Sequence, residues 1–238
     1  MHTTLVFDLD DTLYDLMRSF AETHEELFAS RTAADSASLF AASRKHNAKA
    51  FELWNQGKLT KKEEFAYRIR ESYREFGLVL KDEEIEAFEG KYRYRQKHLK
   101  LSPDMTEFLS TLKDHGIPMI LLTNGNHKDQ WAKIESLGLT HFIPEEQTFV
   151  SEDLPGPKPE TVAFKTVEKR LGLDPRTTWY IGDTFEIDIL GAFNAGWHSV
   201  WFNHRHKKAT TDDIRPDYEA NSLSELKEII RSICMGTD

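Results

Sequence analysis

Cysteine is nearly absent from this sequence: Cys234 is the only one among 238 residues. A disulfide within the chain and a zinc site built from cysteines are therefore excluded, because both need more than one thiol. A single cysteine is typical of proteins in a reducing compartment, and we expect a cytoplasmic location. No run approaches the ~20 apolar residues of a membrane span, and the first residues lack the pattern of a signal peptide.

The chain also has fewer basic than acidic residues. The chain has 31 Lys and Arg against 40 Asp and Glu, which gives a formal net charge of −9. This balance argues against a nucleic-acid polymer as partner, because such binding requires many neutralised phosphates. A small anion is not excluded, since one bound cation and one lysine can reverse the local field. The glycine-rich loops of dinucleotide-binding proteins and P-loop enzymes are missing as well.

Proline is absent from residues 14–100, and the only glycines there are Gly57, Gly77 and Gly90. Apolar residues recur in this segment at helical spacing, as at Phe65, Ile69, Tyr73 and Phe76. Gly57 followed by Thr60 indicates the end of one helix and the N-cap of the next. The pattern predicts a small all-helical domain.

The remainder of the chain predicts alternating strands and helices. Short apolar runs typical of buried strands lie at 5–7, 117–122, 148–150, 178–181 and 199–202. Helical patterns lie between or after them, at 126–137, 159–171, 186–195 and 223–233. Such alternation implies a parallel sheet with helices on both faces. We therefore predict an α/β fold with a Rossmann-like, doubly wound core made of residues 1–13 and 101–238, into which residues 14–100 are inserted.

Three acids crowd the end of the first predicted strand: Asp8, Asp10 and Asp11. On an extended segment Asp8 and Asp10 would project to the same face. Such a pair suits a hard cation such as Mg²⁺, which prefers oxygen ligands. It also suits a nucleophilic carboxylate beside one that transfers protons. The alternative is an acidic turn that caps the following helix.

Polar residues follow the later strands too. They are Thr123 and Asn124 after the second strand, Lys158 after the third, and Asp183 and Asp188 after the fourth. Pro159 keeps Lys158 out of helical geometry and suits the first position of the next helix. Each residue alone has an ordinary explanation as a turn residue, a solvated lysine or a helix cap. Because ligands bind beyond the carboxyl ends of parallel strands, we expect all of them to meet in one site.

These residues resemble, in order and spacing, the four motifs of the haloacid dehalogenase-like hydrolase superfamily. The motifs read Asp8-x-Asp10-x-Thr12, Thr123-Asn124, Lys158 and Gly182-Asp183-x-x-x-x-Asp188. The resemblance covers the whole chain, because residues 14–100 stand where that superfamily carries its first type of helical cap.

The resemblance implies a phosphatase that works through an aspartyl-phosphate, with Asp8 as nucleophile and Asp10 as acid and base. Thr123, Asn124 and Lys158 would bind the phosphoryl oxygens. It also implies Mg²⁺ held by Asp8, the Asp10 backbone carbonyl and Asp183, with Asp188 orienting a water molecule or Lys158. We expect neighbouring acids to raise the pKa of Asp10, and Asp11 to shape the turn.

Details of the motifs separate branches of the superfamily. Members of the superfamily that are dehalogenases lack the second aspartate of the first motif. The resemblance of Asp10 to that aspartate therefore disfavours cleavage of carbon–halogen bonds. Thr12 is typical of phosphatases, and Phe20 stands where mutases with this cap carry a histidine. Residues 53–60, the fourth motif and Trp201-Phe202-Asn203 resemble the YjjG-type pyrimidine 5′-nucleotidases.

We therefore expect a small phosphorylated metabolite, a nucleoside monophosphate, as substrate. A sugar-phosphate or acylneuraminate-phosphate phosphatase is the alternative. A phosphoacceptor signalling domain is disfavoured, because Asp10 would destroy the phosphate.

For three further features we prefer a structural interpretation to a functional one. Trp54 suits stacking on a base, but a helical tryptophan more often packs in a core. The basic run 91–98 predicts the solvated face of a helix rather than an anion-binding patch. His204-Arg205-His206 has a spacing that suits a metal, but it predicts an exposed loop.

Overall fold

The computed structural model of the protein describes residues 3–235. The chain divides into two compact units: the residues up to Asp15 together with those from Leu99 onward, and Leu16–His98. Within the described range, no helix combines the length and the apolar character needed to cross a membrane.

The first unit is built on a six-stranded sheet. Its strands are β1 (Thr4–Phe7), β2 (Met119–Thr123), β3 (Thr148–Val150), β4 (Thr178–Gly182), β5 (His198–Phe202) and β6 (Tyr218–Ala220). They lie in the order β3-β2-β1-β4-β5-β6, and every pair is parallel. Strand order reverses at β1, so the ends of β1, β2 and β4 frame the crevice in which such folds bind ligands. The predicted α/β fold is confirmed.

Helices flank this sheet because its strands are apolar on both faces. The helices are α5 (Pro103–Asp114), α6 (His127–Ser136), α7 (Thr161–Leu171), α8 (Leu190–Ala195) and α9 (Leu223–Met235). On one face, Val6, Ile120 and Tyr180 pack with Phe164 of α7 and Trp197 in a single buried cluster. Parallel strands buried on both sides read as continuous apolar runs, which explains why the sequence predicted them.

The second unit is all-helical. It contains α1 (Leu16–Leu27), α2 (Ser36–Asn55), α3 (Lys61–Glu75) and α4 (Asp82–Gln96). Its core is aromatic, with Phe20, Phe28, Tyr73 and Phe88 among the buried residues. Thr60 caps α3 by accepting the backbone N–H of Glu63, while the Glu63 side chain accepts the N–H of Thr60. The predicted N-cap is confirmed.

The structure corrects the bounds of two predicted helices. Helix α7 begins at Thr161 rather than at 159, because the Glu160 N–H bonds to the Pro157 carbonyl in a turn that precedes it. The predicted helix 186–195 consists of a π-helical turn, Phe185–Ile189, followed by the short α8. Helix α5 and strand β6 were not predicted.

Candidate active site

Lys158 is the centre of the polar cluster beyond the strand ends, and only 3% of it is exposed. Its ammonium group donates to Asp8 Oδ1 and Asp188 Oδ1, both at 2.7 Å, and to the hydroxyl of Tyr180 at 2.6 Å. Burial opposes the charge of Lys158, but the charges of Asp188 and Asp8 outweigh it and raise its pKa well above the usual value. Lys158 therefore carries its charge inside the protein.

The backbone of Lys158 is held by Asn124. The Asn124 side-chain amide donates to the Lys158 carbonyl at 2.8 Å, and its Oδ1 accepts the Lys158 N–H at 2.9 Å. A cis peptide bond joins Lys158 to Pro159. The side chain of Asn124 thus positions the lysine, while its predicted role in binding phosphate stays a prediction.

Asp188 lies within the π-helical turn, and its carboxylate reaches back across the end of β4. Besides Lys158, it accepts the backbone N–H of Thr184 at 2.9 Å through Oδ2. A Cβ atom on Gly182 would lie 2.4 Å from Cγ of Asp188, so only glycine fits beneath this carboxylate.

Asp183 follows β4 directly and is nearly buried. Its Oδ2 accepts from the ammonium group of Lys207 at 2.5 Å, and its backbone carbonyl accepts the indole N–H of Trp201 at 3.0 Å. Lys207 was not among the predicted site residues. Burial raises the pKa of Asp183 and the charge of Asp188 adds to this effect, while the charge of Lys207 opposes it.

Carboxylate oxygens of Asp8, Asp183 and Asp188 lie within 4.8 Å of one another. Burial raises the pKa of Asp8 to about 8; the repulsion from Asp188 and Asp183 contributes, against the attraction of Lys158. Oxygen donors and an excess of buried negative charge fit a hard divalent cation such as Mg²⁺. The sequence predicted Asp188 as a residue that orients a water molecule or Lys158 rather than a ligand, and its carboxylate lies in the same cluster as those of Asp8 and Asp183.

Asp10 has separate partners. Lys133 of α6 donates to both of its carboxylate oxygens, at 2.7 and 2.9 Å, and Gln130 donates to Oδ2 at 3.1 Å. The Tyr14 hydroxyl donates to Oδ1. Its carboxylate is therefore not part of the three-acid cluster, and a role for its backbone carbonyl in metal binding stays a prediction.

The expectation that neighbouring acids raise the pKa of Asp10 is wrong. Burial does act in that direction, but the charge of Lys133 and the hydrogen bonds from Lys133, Tyr14 and Gln130 outweigh it, so the pKa lies below the usual value. Lys133 is 123 residues away in the chain, and nothing in the local motif indicates the contact.

The two threonines of the motifs are both buried. The Thr123 hydroxyl oxygen accepts a hydrogen bond from the Gln130 amide at 2.7 Å. The Thr12 hydroxyl oxygen has no hydrogen-bond partner among the residues that the structure describes. Thr12 as an indicator of hydrolysis stays a prediction.

Asp11 does shape the turn, in a left-handed conformation with φ of +65°. Arg205 donates to both Asp11 carboxylate oxygens at 2.5 Å and to Asp15 at 2.6 Å, while His204 donates to the Asp11 carbonyl at 2.9 Å. The prediction of an exposed loop at 204–206 is therefore wrong for His204 and Arg205, which are only partly exposed. Arg205 is 194 residues from Asp11 in the chain, so no local pattern indicates that it pairs with this acidic turn.

The structural interpretation of the features in the helical unit is correct for some of them and not for others. Phe20 is buried in the aromatic core. The preferred interpretation of Trp54 as a core residue is wrong, because its side chain is 38% exposed and contacts the ring of Phe51. In the basic run 91–98, Tyr92 is buried and Tyr94 is exposed, so one face of α4 packs while the other meets solvent.

Comparison with known proteins gives a consistent picture. A sequence profile described as haloacid dehalogenase-like hydrolase matches residues 2–196. The chain is 28% identical over 231 residues to the HAD-hydrolase YfnB of Bacillus subtilis, which covers 96% of this chain and 95% of that protein. It is 27% identical over 230 residues to the pyrimidine 5′-nucleotidase PynA of Streptococcus pneumoniae, covering 95% and 94%.

A shorter match connects the chain to a glyceraldehyde 3-phosphate phosphatase of Methanopyrus kandleri. The identity is 32% over 139 residues, and the match covers 57% of this chain and 59% of that protein. Among solved structures, that of YfnB bound to magnesium superimposes with a TM-score of 0.70 over 96% of this chain and 98% of that one.

Proposed function

The chain belongs to the haloacid dehalogenase-like hydrolase family and is a phosphatase, and we propose that it hydrolyses nucleoside 5′-monophosphates through a phosphorylated Asp8 with the help of Mg²⁺. The observation that carries this proposal is the buried Lys158, which joins Asp8 and Asp188 at 2.7 Å beside Asp183. Such an arrangement neutralises a nucleophilic carboxylate and offers positive charge to a phosphoryl group.

In the first step, Asp8 forms a bond to phosphorus while the bond from phosphorus to the ester oxygen breaks. The ester oxygen keeps the electron pair and takes a proton from Asp10. Lys158 and Thr123 stabilise the charge on the transferring oxygens. The charge of Lys133 and the hydrogen bonds to Asp10 hold the pKa of Asp10 below its usual value, so Asp10 must take up that proton before this step.

In the second step, water attacks phosphorus and Asp10 removes a proton from it. The bond between phosphorus and Asp8 breaks, which releases orthophosphate and restores the Asp8 carboxylate. Asp10 then holds the proton that the next substrate requires. One residue serves both steps because the second reverses the proton transfer of the first.

The metal site would be formed by Asp8 and Asp183, with the Asp10 backbone carbonyl as a further ligand. A bound Mg²⁺ supplies positive charge that offsets the repulsion between a carboxylate and an anionic phosphoryl group. The three buried carboxylates and the magnesium bound in the structure of YfnB support this assignment. Removing divalent metal with EDTA should abolish phosphate release, and Mg²⁺ should restore it.

Two features favour nucleotides as substrates. The match to PynA covers 95% of the chain and hence most of the helical unit, which stands where the family carries the cap that selects substrates. Matches to phosphatases of sugar phosphates cover little more than half of the chain. A sugar-phosphate phosphatase remains the second candidate, because those shorter matches have 30–32% identity.

The test is Mg²⁺-dependent phosphate release from a panel of pyrimidine and purine nucleoside monophosphates and sugar phosphates. We expect the highest kcat/KM for pyrimidine monophosphates. Equal or better hydrolysis of the sugar phosphates would contradict the nucleotidase assignment and leave the phosphatase intact.

The mechanism is tested with Asp8→Asn and Asp10→Asn. We expect Asp8→Asn to lose all measurable turnover and Asp10→Asn to lose on the order of 10²–10⁴-fold. Asp15→Asn is the control, since Asp15 lies in the same turn but contacts Arg205. Phosphate release that survives in Asp8→Asn would overturn the mechanism.

A further inference from the structure

Two residues outside the four motifs contact the proposed acid and phosphate-binding groups. Gln130 and Lys133 lie one turn apart on α6, so their side chains share one face of the helix. Gln130 Nε2 is 2.7 Å from Thr123 Oγ1 and 3.1 Å from Asp10 Oδ2. Lys133 Nζ is 2.7 and 2.9 Å from the two oxygens of Asp10.

In the hydrogen bond between Gln130 and Thr123, the donor and the acceptor can be identified. An amide nitrogen only donates, so the Thr123 oxygen is the acceptor and its own hydrogen does not point at Gln130. That hydrogen is left to donate elsewhere, as binding a phosphoryl oxygen requires. Gly125 permits the approach, because a Cβ atom there would lie 2.8 Å from Cγ of Gln130.

The contact between Lys133 and Asp10 is more buried than a surface ion pair. Only 14% of the Lys133 side chain and 26% of the Asp10 side chain are exposed, against 64% and 48% for the pair of Arg18 and Glu22. Lys133 bonds both oxygens of one carboxylate and so fixes its orientation as well as its place. Exposed ion pairs contribute little to stability unless their geometry is good, and the two contacts of Lys133 to one carboxylate meet that condition.

We propose that Gln130 and Lys133 are positioning residues of the phosphatase reaction: Gln130 turns the hydroxyl hydrogen of Thr123 toward the phosphoryl group, and Lys133 holds the Asp10 carboxylate at the leaving oxygen. This inference rests on the proposed function. The shorter contact of Gln130 is to Thr123, at 2.7 Å, whereas Lys133 contacts both carboxylate oxygens of Asp10.

Lys133 matters most when the leaving oxygen needs a proton. As the ester bond to phosphorus breaks, Asp10 gives its proton to that oxygen and becomes a carboxylate, which Lys133 then stabilises through two hydrogen bonds. An alkyl phosphate depends on this transfer because an alkoxide is a poor leaving group. A p-nitrophenyl phosphate does not, because p-nitrophenolate leaves without a proton.

The first experiment compares Lys133→Met with the wild type on an alkyl phosphate and on p-nitrophenyl phosphate, by single-turnover formation of the phosphoenzyme. We expect a loss of at least about tenfold on the alkyl phosphate and less than about threefold on the aryl one. Lys128→Met is the matched control, since Lys128 is an exposed lysine of the same helix. Lys133→Arg keeps the charge and the donors and should keep the wild-type ratio of the two rates.

Equal losses on both substrates, or none, would overturn the role of Lys133. Thermal melting shows whether the variant is folded. If Lys133→Met does not fold, Lys133→Gln takes its place, since it still donates to one oxygen, and the same ratio of rates decides.

The second experiment tests Gln130 through inhibition by orthophosphate. Gln130→Glu puts an acceptor against Thr123, so the hydroxyl must donate to it and turn away from phosphate. We expect at least about a fivefold weaker inhibition. Lys133→Met should leave orthophosphate inhibition unchanged.

The added charge of Gln130→Glu is separated from its effect on Thr123 by a double-mutant cycle. In a Thr123→Val background, Gln130→Glu should cause no further weakening of orthophosphate inhibition. A full further loss would mean that charge repulsion alone is responsible and would overturn the role of Gln130. If the wild type releases no phosphate from any substrate, the proposed function itself fails; if it does and the ratios do not move, only this inference fails.

Discussion

At the scale of single residues, the site depends on a lysine that is charged and buried at once. Taking a charge out of water costs several kcal/mol, and good geometry with opposite charges must offset this cost. Lys158 meets the condition with Asp8 and Asp188, and the Tyr180 hydroxyl accepts its third hydrogen. Removing the lysine would leave the carboxyl groups of Asp8 and Asp188 buried without a cation or a donor between them.

Lys158→Met should therefore lower the free energy of unfolding by about 3–5 kcal/mol, besides abolishing activity. Urea denaturation of the metal-free proteins measures the change. Lys165→Met is the matched control, because the exposed side chain of Lys165 pairs with Glu168 one turn along the same helix and its loss should cost about 1 kcal/mol or less. Equal losses in the two variants would show that the buried pair contributes no more than a surface pair.

The raised pKa of Asp8 predicts how pH acts on stability and on Mg²⁺. Asp8 ionises near 3.8 in the unfolded chain and at about 8 in the folded, metal-free protein. Its contribution to stability is thus fully present below the lower value and is lost as pH rises toward the higher one. Mg²⁺ requires the ionised carboxylate, so its binding displaces a proton at neutral pH.

We therefore expect Mg²⁺ to raise Tm more at about pH 8.5 than at about pH 6.5. Thermal melting with and without Mg²⁺ at both pH values measures this difference. In Asp8→Asn the dependence on pH should disappear from the metal-induced shift. A shift that is as large at the lower pH in the wild type would contradict the raised pKa.

Local sequence predicted that residues after the strands lie together, but it did not predict which residues from other elements contact them. Asp8, Lys158, Asp183 and Asp188 each follow a strand, and a parallel sheet brings strand ends together, so their meeting was predictable. Lys133 and Arg205 contact the same turn from 123 and 194 residues away. Such contacts are fixed by how helices and loops pack, which no local pattern contains.

At the scale of elements, the π-helical turn Phe185–Ile189 is what brings Asp188 to Lys158. The carboxylate accepts the Thr184 N–H and crosses over Gly182, where no side chain can fit. Turns of this kind occur often at functional sites. Sequence periodicity predicted a helix here and not its widened first turn, because the turn depends on hydrogen bonds made by a side chain.

Gly182→Ala should displace Asp188 and destabilise the protein by about 1–3 kcal/mol, since the new Cβ would meet Cγ of Asp188 at 2.4 Å. Gly90→Ala is the matched control: it lies within α4, and a Cβ there has no neighbour within 4 Å. It should stabilise the protein by about 0.5–1 kcal/mol through helix propensity. Urea denaturation distinguishes the two, and opposite signs are expected.

The strands that the sequence predicted are those whose residues are nearly all apolar and buried. Strand β6 has three residues, of which only Ala220 is buried, so it carries no such signal. Helix α5 did carry one, with Pro103 at its first turn and Met105, Phe108 and Leu109 buried at helical spacing. That helix was predictable, whereas β6 is recognised by its pairing with β5 and not by its own sequence pattern.

At the scale of the whole molecule, the chain forms two compact units that differ in how far apart in sequence their contacting residues lie. The sheet unit joins segments far apart in sequence, as where Leu5 pairs with Met119 and Trp179. The helical unit is continuous from Leu16 to His98. That it acts as a cap over the site stays a prediction from sequence.

The division of the chain into two units predicts which amides exchange faster after a core substitution. Leu5→Ala should cost about 2–5 kcal/mol and speed hydrogen exchange across β1, β2 and β4, while leaving the amides of residues 16–98 protected as before. Ile69→Ala, at an equally buried position of the helical unit, should do the reverse. Exchange measured by mass spectrometry tests both. Faster exchange in both units from either variant would mean that they unfold together.

The cations beyond β5 have a practical consequence for anyone who trims this protein to its recognised family segment. The matching segment ends at residue 196, whereas Arg205 and Lys207, which bind Asp11 and Asp183, lie after it. A shortened version ending there would keep every signature motif and still lack two of the charges that neutralise them. Its failure would then say nothing about the motifs themselves.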